Sequence, residues 1–566
     1  MRKTKAFLSL MLTIALLFTA FSFSFPASTS AATSMQTYVS TMQPGWNLGN
    51  TLDAFNPDDP TGGGETSWGN PVVTQAFIQQ IAAQGFKSIR IPITWNYRIG
   101  DAPNYAIDPA FMDRVQQVVD WSLQEGLYVM INVHHDAWMW VSSMPTDHNA
   151  VMARYNAVWT QIADRFKNHS DKLMFESINE PEFSNVDITT QLALLNELNT
   201  SFVHLVRASG GGNAVRPLVL PTLYCNHEQV RVDSLASTLV ALNDPNLIVT
   251  VHYYGLWHFA VNIAGYTTFN ADAKNDIDTM VNNVYNTFVS KGIPVVIGEL
   301  GILGHDKNRE TVERGEMLKF FEYLLYSTQA KNITTMWWDN GSYFNRTTYQ
   351  WSDPDLYNIF KQSLTGRSST TDTDLIFLKA GTAVQDAVIN LNLNGNTFVS
   401  LLNGTAALSY GTDYTLNGNV LTIKASALSN YASGSFGEKT VLSVRVNSGP
   451  DWKIHVRYSN TPVLSKASGN SSGGLVIPTA FNGDVLATME AVYTNGTNAG
   501  PHNWTSYKEY AYAFLPNYAN NTIMITPKFF AETTGGTINL TFHFWSGAIV
   551  KYQLTTKGGR ITGTPQ

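Results

Sequence analysis

From about residue 40 to 362, short apolar runs rich in β-branched and aromatic residues alternate with longer stretches whose apolar positions recur at helical spacing. Eight such runs occur: PGWNLGNTL (44–52), KSIRIPI (87–93), LYVMINVHHD (127–136), LMFESINEP (173–181), PLVLPTLY (217–224), LIVTVHYY (247–254), PVVIGELG (294–301) and ITTMWWDNG (333–341). Amphipathic stretches lie between them. In NPVVTQAFIQQIAAQG, for example, Val73, Phe77, Ile81 and Gly85 recur at helical spacing before a glycine stop. Eight βα units in succession predict a (β/α)₈ barrel rather than an open sheet.

In nearly every run the apolar part comes first and the polar side chains gather at its C-terminal end. They are Asn47 and Asn50, Arg90, His134 with His135 and Asp136, Asn179 with Glu180, His252 with Tyr254, Glu299, and Trp338 with Asp339. Barrel active sites lie on that face, so the strands are expected to deliver these groups to one place.

Helical periodicity stops at SLTGRSSTTDTD (363–374), a Ser/Thr/Gly-rich stretch that reads as a linker. Short alternating strands follow, with a hairpin signal at Asn417 and Gly418, and predict an immunoglobulin-like sandwich. A second break falls in NTPVLSKASGNSSGG (460–474), and the remainder reads as another β domain dense in aromatics. Along TFHFW, Phe542 and Phe544 are expected on one face and Trp545 on the other. The expected division is a signal peptide over 1–32, the barrel over 33–368, the first sandwich over 369–460 and the second over 461–566.

The signal peptide is read from Arg2, Lys3 and Lys5, an apolar run ending at Pro26, and small residues near Ala31 and Ala32. A secreted, extracellular protein is expected. It has a single cysteine, Cys225, and so no intrachain disulfide, which leaves stability to packing. With 36 basic and 43 acidic residues and no charge block, nothing attracts nucleic acid or an anionic membrane. Aromatics at 12% against charged residues at 14% favour a neutral partner on which flat rings stack, such as sugar.

Two carboxylates flanking a glycosidic bond suffice for its hydrolysis. Glu180 and Glu299 end the fourth and seventh runs, which are not neighbours on an eight-stranded barrel, so the two are expected to face each other across the mouth. His134, His135, Asp136, His252, Glu299 and His305 invite a metal reading. There is no HxH or HExxH spacing, however, and adjacent strand residues such as His134 and His135 should point to opposite sides. No metal and no cofactor is expected.

IRIPITW, VHHD, SINEP, HYY, IGELG and MWWDNG, in that order on those runs, resemble glycoside hydrolase family 5, within the clan of (β/α)₈ retaining glycosidases. The resemblance covers roughly residues 36 to 362. It implies Glu180 as acid/base and Glu299 as nucleophile, with Arg90, His134, Asn179, His252, Tyr254 and Trp338 in support. His135 and Asn47 are further candidates for the cleft, as are Trp46, Trp68, Trp95, Trp138, Trp140, Trp257 and His258. Leu300 departs from a family pattern that often has an aromatic after the nucleophile. The segment 369–460 resembles the immunoglobulin-like X2 modules of cellulases, and 461–566 the family 46 carbohydrate-binding module, with Trp504 and Trp545 as candidate sugar plates.

The expectation is thus a monomeric, secreted endo-β-1,4-glucanase acting on cellulosic, mixed-linkage and xyloglucan chains. A β-mannanase or xylanase with the same machinery, a catalytically silent polysaccharide-binding protein and a metal-dependent hydrolase are the alternatives.

Overall fold

The computed structural model describes residues 34–566 except residue 60. The expected signal peptide, 1–32, lies outside the described residues, among which no helix is long and apolar enough to cross a membrane. Eight parallel strands close into a barrel in sequence order: β1 (Gly45–Leu48), β2 (Ser88–Ile91), β3 (Tyr128–Asn132), β4 (Leu173–Glu176), β5 (Leu218–Pro221), β6 (Leu247–Tyr253), β7 (Val295–Leu300) and β8 (Thr334–Asp339). Each falls inside one of the eight apolar runs. The strands are buried on both faces, inward against the barrel interior and outward against the helices.

The helices start and stop where side chains satisfy free backbone groups. Thr74 caps Gln75–Ala83 by accepting the Phe77 amide, and Gly85 ends it with φ +98°. Val73, expected on that helix, is buried one residue ahead of its cap.

The helix Ser34–Thr41 seals the N-terminal end of the barrel. Met35, Val39 and Met42 pack onto the inward side chains Met130, Met174, Val219, Ile248, Val296 and Met336. This apolar floor leaves polar chemistry to the C-terminal ends of the strands.

Beyond the barrel stand two β-sandwiches, each built of a four-stranded and a five-stranded sheet. In the first, the strands Tyr414–Asn417 and Val420–Ile423 pair as a hairpin, so Asn417 is a strand residue and Gly418, at φ +59°, begins the turn. In the second, Phe542 and Phe544 are buried in the core while Trp545 faces away from it and is half-buried, as the alternation predicts.

Neither the expected linker nor the second break is loose. Helix Pro354–Ser363 runs into the first, Ser368 to Thr371 are all buried, and Thr370–Thr371 pairs with Leu391 and Asn392. In the second, Val463–Leu464 and Ala467–Asn470 are strands. Ser, Thr and Gly here close sheets and make tight contacts between modules, which composition does not distinguish from a flexible tether.

The modules are bonded to one another. Lys319 of the barrel donates to the Asp372 carbonyl of the first sandwich at 3.0 Å, and Arg457 of the first sandwich donates to the Gly483 carbonyl of the second. Asn262 of the barrel donates to the Ala487 carbonyl, its own carbonyl accepts the Tyr510 amide, and Lys307 pairs with Glu509 at 2.7 Å.

Candidate active site

Inward positions form layers up the barrel. Above the methionine floor lie Asn47 of β1, Arg90 of β2, Asn132 of β3 and Glu176 of β4, all fully or almost fully buried. Arg90 organises this layer and the next. It donates to Glu176 Oε2 at 2.9 Å, Asn47 Oδ1 at 3.0 Å, Glu299 Oε1 at 2.6 Å and Asn179 Oδ1 at 2.7 Å. A buried guanidinium held by two carboxylates stays charged.

Glu299 reaches this layer through an irregularity in β7. Val296 points into the floor, so strict alternation would turn residue 298 inward and residue 299 outward. The pairing with β6 instead steps from Val251–Ile297 to His252–Glu299, so Gly298 is an extra residue and Glu299 swings inward. Only glycine fits there, because a Cβ would lie 2.6 Å from Thr250 Oγ1.

Glu299 Oε2 accepts the Tyr254 hydroxyl at 2.6 Å and lies 3.6 Å from His252 Nδ1. Burial alone would raise the pKa of this carboxyl, but His252, Arg90 and Tyr254 outweigh it and hold it below the usual value. The other oxygen neighbour of His252 Nδ1 is Glu180 Oε1, at 2.8 Å. Burial disfavours charge on His252, yet the carboxylates of Glu299 and Glu180 beside it raise its pKa above the ordinary imidazole value. Glu180 sits on the loop after β4 at φ +36°, with its side chain 45% exposed to the cleft. Oxygens of Glu180 and Glu299 approach within 4.8 Å of each other.

His134 and His135 correct an expectation. β3 ends at Asn132, so the two are not strand residues; their rings lie 4.5 Å apart on the same side, next to Asp53. Asn132 Nδ2 donates to His134 Nδ1, and Trp138 Nε1 donates to His135 Nδ1. Each histidine therefore keeps its proton on Nε2, a donor suited to a hydroxyl or carboxylate and not to a metal ion. Burial keeps His134 neutral. In the second group of possible ligands, Glu180, His252 and Glu299, the imidazole turns Nδ1 toward both carboxylates, 2.8 and 3.6 Å away, and donates its proton there rather than offering a lone pair.

Asn47, expected to bind substrate, does not reach the cleft. It is wholly buried, and its amide donates to the carbonyls of Gly298, Met336 and Trp337 while its oxygen holds Arg90. Trp46 and Trp95 are likewise core residues. Trp338 is half-buried, its ring parallel to His134 with centroids 6.0 Å apart, and Gly49 leaves room for it. Partly exposed aromatics mark two ends of the cleft. Trp68 and Trp138 cluster around Phe55, which stacks on Tyr97. At the other end Trp257 and His258 meet Trp504 of the second sandwich, which is 54% exposed. Trp545 lies elsewhere, at the junction of the three modules.

Glu176, Asn132, Asp53 and the Gly298 bulge were not anticipated. Glu176 was within reach, since it lies four residues before Glu180 in an apolar strand. Asp306 was also missed; burial, then Glu299 and Glu180, push its carboxyl up to about 6.

Residues 52–344 match the family described as cellulase (glycosyl hydrolase family 5), 370–456 match carbohydrate-binding domain X2, and 460–564 match the family 46 carbohydrate-binding domain. The chain is 54% identical to endoglucanase B of Paenibacillus lautus over 568 residues, covering 100% of this chain and 99% of that protein. The structure of the full-length tri-modular endo-β-1,4-glucanase B from Bacillus halodurans superposes with a TM-score of 0.91 at 49% identity, covering 94% of this chain and 99% of that one. A tri-modular family 5, subfamily 4 endo-β-1,4-glucanase from Bacillus licheniformis, complexed with cellotetraose, superposes with a TM-score of 0.78 at 30% identity, covering 94% and 99%.

Proposed function

The chain belongs to glycoside hydrolase family 5, and on that premise we propose that it is a secreted endo-β-1,4-glucanase that hydrolyses with retention, Glu299 being the nucleophile and Glu180 the acid/base. The carrying observation is the approach of the two carboxylates to within 4.8 Å. Retaining pairs stand about 5–5.5 Å apart, whereas inverting pairs need about 6.5–9.5 Å to admit a water between them.

Glu299 attacks the anomeric carbon as the bond to the leaving oxygen breaks, and Glu180 passes its proton to that oxygen. Water then attacks the same carbon, Glu180 takes the water's proton, and Glu299 is released. Arg90 and Tyr254 hold Glu299 ionised and aimed. Because Asn179 gives its oxygen to Arg90, its Nδ2 is oriented outward for a sugar hydroxyl. His134 Nε2 offers a second donor, and Trp338 a flat wall beside them.

The substrates proposed are cellulosic, mixed-linkage and xyloglucan chains, laid between the two aromatic ends of the cleft. Trp504 extends that cleft from the second sandwich, which favours bulky or branched chains. The protein acts outside the cell as a monomer, with barrel, X2-type and family 46 modules over 33–368, 369–460 and 461–566. The export pattern and the insoluble nature of cellulose support this setting.

Reducing-sugar release from carboxymethylcellulose, barley β-glucan, xyloglucan and mannan, by the wild type beside Glu299→Gln and Glu180→Gln, tests the reading. Activity on the glucans is expected to fall at least about 10³-fold in both variants. Activity that survives Glu299→Gln, or a preference for mannan, would overturn it.

A further inference from the structure

A cavity of about 610 Å³ lies where the three modules meet, and neither Glu180 nor Glu299 lines it. The barrel contributes the loop after β7, including Glu310; the first sandwich contributes Arg457; the second contributes Phe481, Tyr510, Asn521 and Trp545. A contact whose only role is to join modules satisfies its own polar groups. This one does not. Tyr510 is 97% buried, yet its hydroxyl has no hydrogen-bond partner among the described residues. Trp545 is half-buried, meets no other aromatic ring there, and its indole N–H has no acceptor among the described residues. Arg457 spends only its Nε on the Gly483 carbonyl, leaving both Nη groups without a partner among the described residues, and the exposed Glu310 also lines the cavity.

We propose that this junction is a second carbohydrate site, one that takes a short, neutral β-1,4-linked gluco-oligosaccharide with Trp545 as its platform. The chemistry points to a neutral, hydroxyl-rich ligand. The three arginines and four carboxylates that line it nearly cancel and give little net pull on an ion, while a free indole face beside scattered donors and acceptors suits a sugar ring. The volume suits a few sugar units, in the range of small-molecule sites. The choice of glucose units rests on the proposed hydrolase activity, which releases such products. A ligand bridging residues of all three modules binds only when they are docked, so it shifts the molecule toward the docked state.

The test is calorimetric titration of the full-length Glu299→Gln protein with cellotetraose. Two sites are expected. Adding Trp545→Ala should weaken one of them about tenfold or more and leave the other. Tyr510→Phe, which removes a single oxygen, should weaken the same site, and it keeps the test decisive should Trp545→Ala unfold. A single site in the parent, or isotherms of both variants that superimpose on the parent's, overturns the proposal. If the wild type fails to hydrolyse glucans but the Trp545-dependent site is present, the catalytic reading falls and this one stands.

Discussion

Tyr254 donates its hydroxyl to Glu299 Oε2 at 2.6 Å, on the side of the carboxylate away from Arg90. Tyr254→Phe keeps the ring and removes that bond, so kcat should drop about 10- to 100-fold. The bond is also one of the three influences that lower the Glu299 pKa, so its loss raises that pKa. The acidic limb of kcat/KM against pH should therefore move to higher pH. A profile lowered uniformly with its limb in place would mean that Tyr254 does not bear on Glu299.

Gly298→Ala should be among the most damaging single-methyl changes in the barrel. The added Cβ would lie 2.6 Å from Thr250 Oγ1 and 3.1 Å from His252 Nε2, so the bulge that turns Glu299 inward cannot keep its shape. Overpacking of this kind costs about 1–3 kcal/mol. Thr250 Oγ1 is buried without a partner, so pairing the change with Thr250→Ala removes the shorter of the two contacts without breaking a bond. Thermal unfolding and glucanase assays of the single and double variants check this, and the double variant should regain much of both losses.

Asp374 couples the first sandwich to the barrel in a pH-dependent way. Its carboxyl sits over Gly315 at the start of helix Arg314–Gln329, beside Glu313 and Glu316. Burial, then Glu313, push its pKa up to about 8, against about 4 in the unfolded chain. A carboxyl raised on folding lends stability that is complete below pH about 4 and is lost as pH rises through about 8. Asp374→Asn stays neutral throughout. Its melting temperature should exceed the wild type's by about 2–4 °C at pH 9, with the gap closing toward pH 4. Parallel curves would show that Asp374 does not titrate in that window.

Lys307 holds Glu509 at the base of the second sandwich, and Glu509 holds His502 two residues before Trp504. Removing the lysine leaves a carboxylate with only 5% of its side chain exposed and one partner fewer. Lys307→Ala and Trp504→Ala should then depress xyloglucan hydrolysis several-fold relative to carboxymethylcellulose, in the same direction. Unchanged ratios for both would remove the second sandwich from the cleft.

The barrel was legible because each strand is an apolar run with its reactive residues last, and period alone identifies such runs. Tyr254, His252 and Glu299 could be placed at one rim for the same reason. What the residues could not reveal is where alternation breaks. The Gly298 bulge and the early end of β3 before His134 are set by neighbouring strands, and both decide which way a side chain points. Asn47 looked like a cleft residue because it is polar at a strand end, but it sits one layer lower, where it satisfies three carbonyls. The supposed linker and the second break misled for a related reason: their small polar residues are drawn into sheets only once the flanking modules are in place.

The contact of Trp504 with Trp257 and His258 also bears on how the protein is made. One wall of the cleft is written near the end of the chain, so the barrel emerges, from the ribosome and then from the export channel, before that wall does. Domains fold largely in the order of synthesis. The newborn barrel is thus expected to expose Trp257 and His258 while it waits for the tail. A protease that later trims the tail would return the molecule to that early form, leaving Glu180 and Glu299 in place but the cleft open on one side. Trimmed and intact copies in one culture would then divide the available polysaccharides between them.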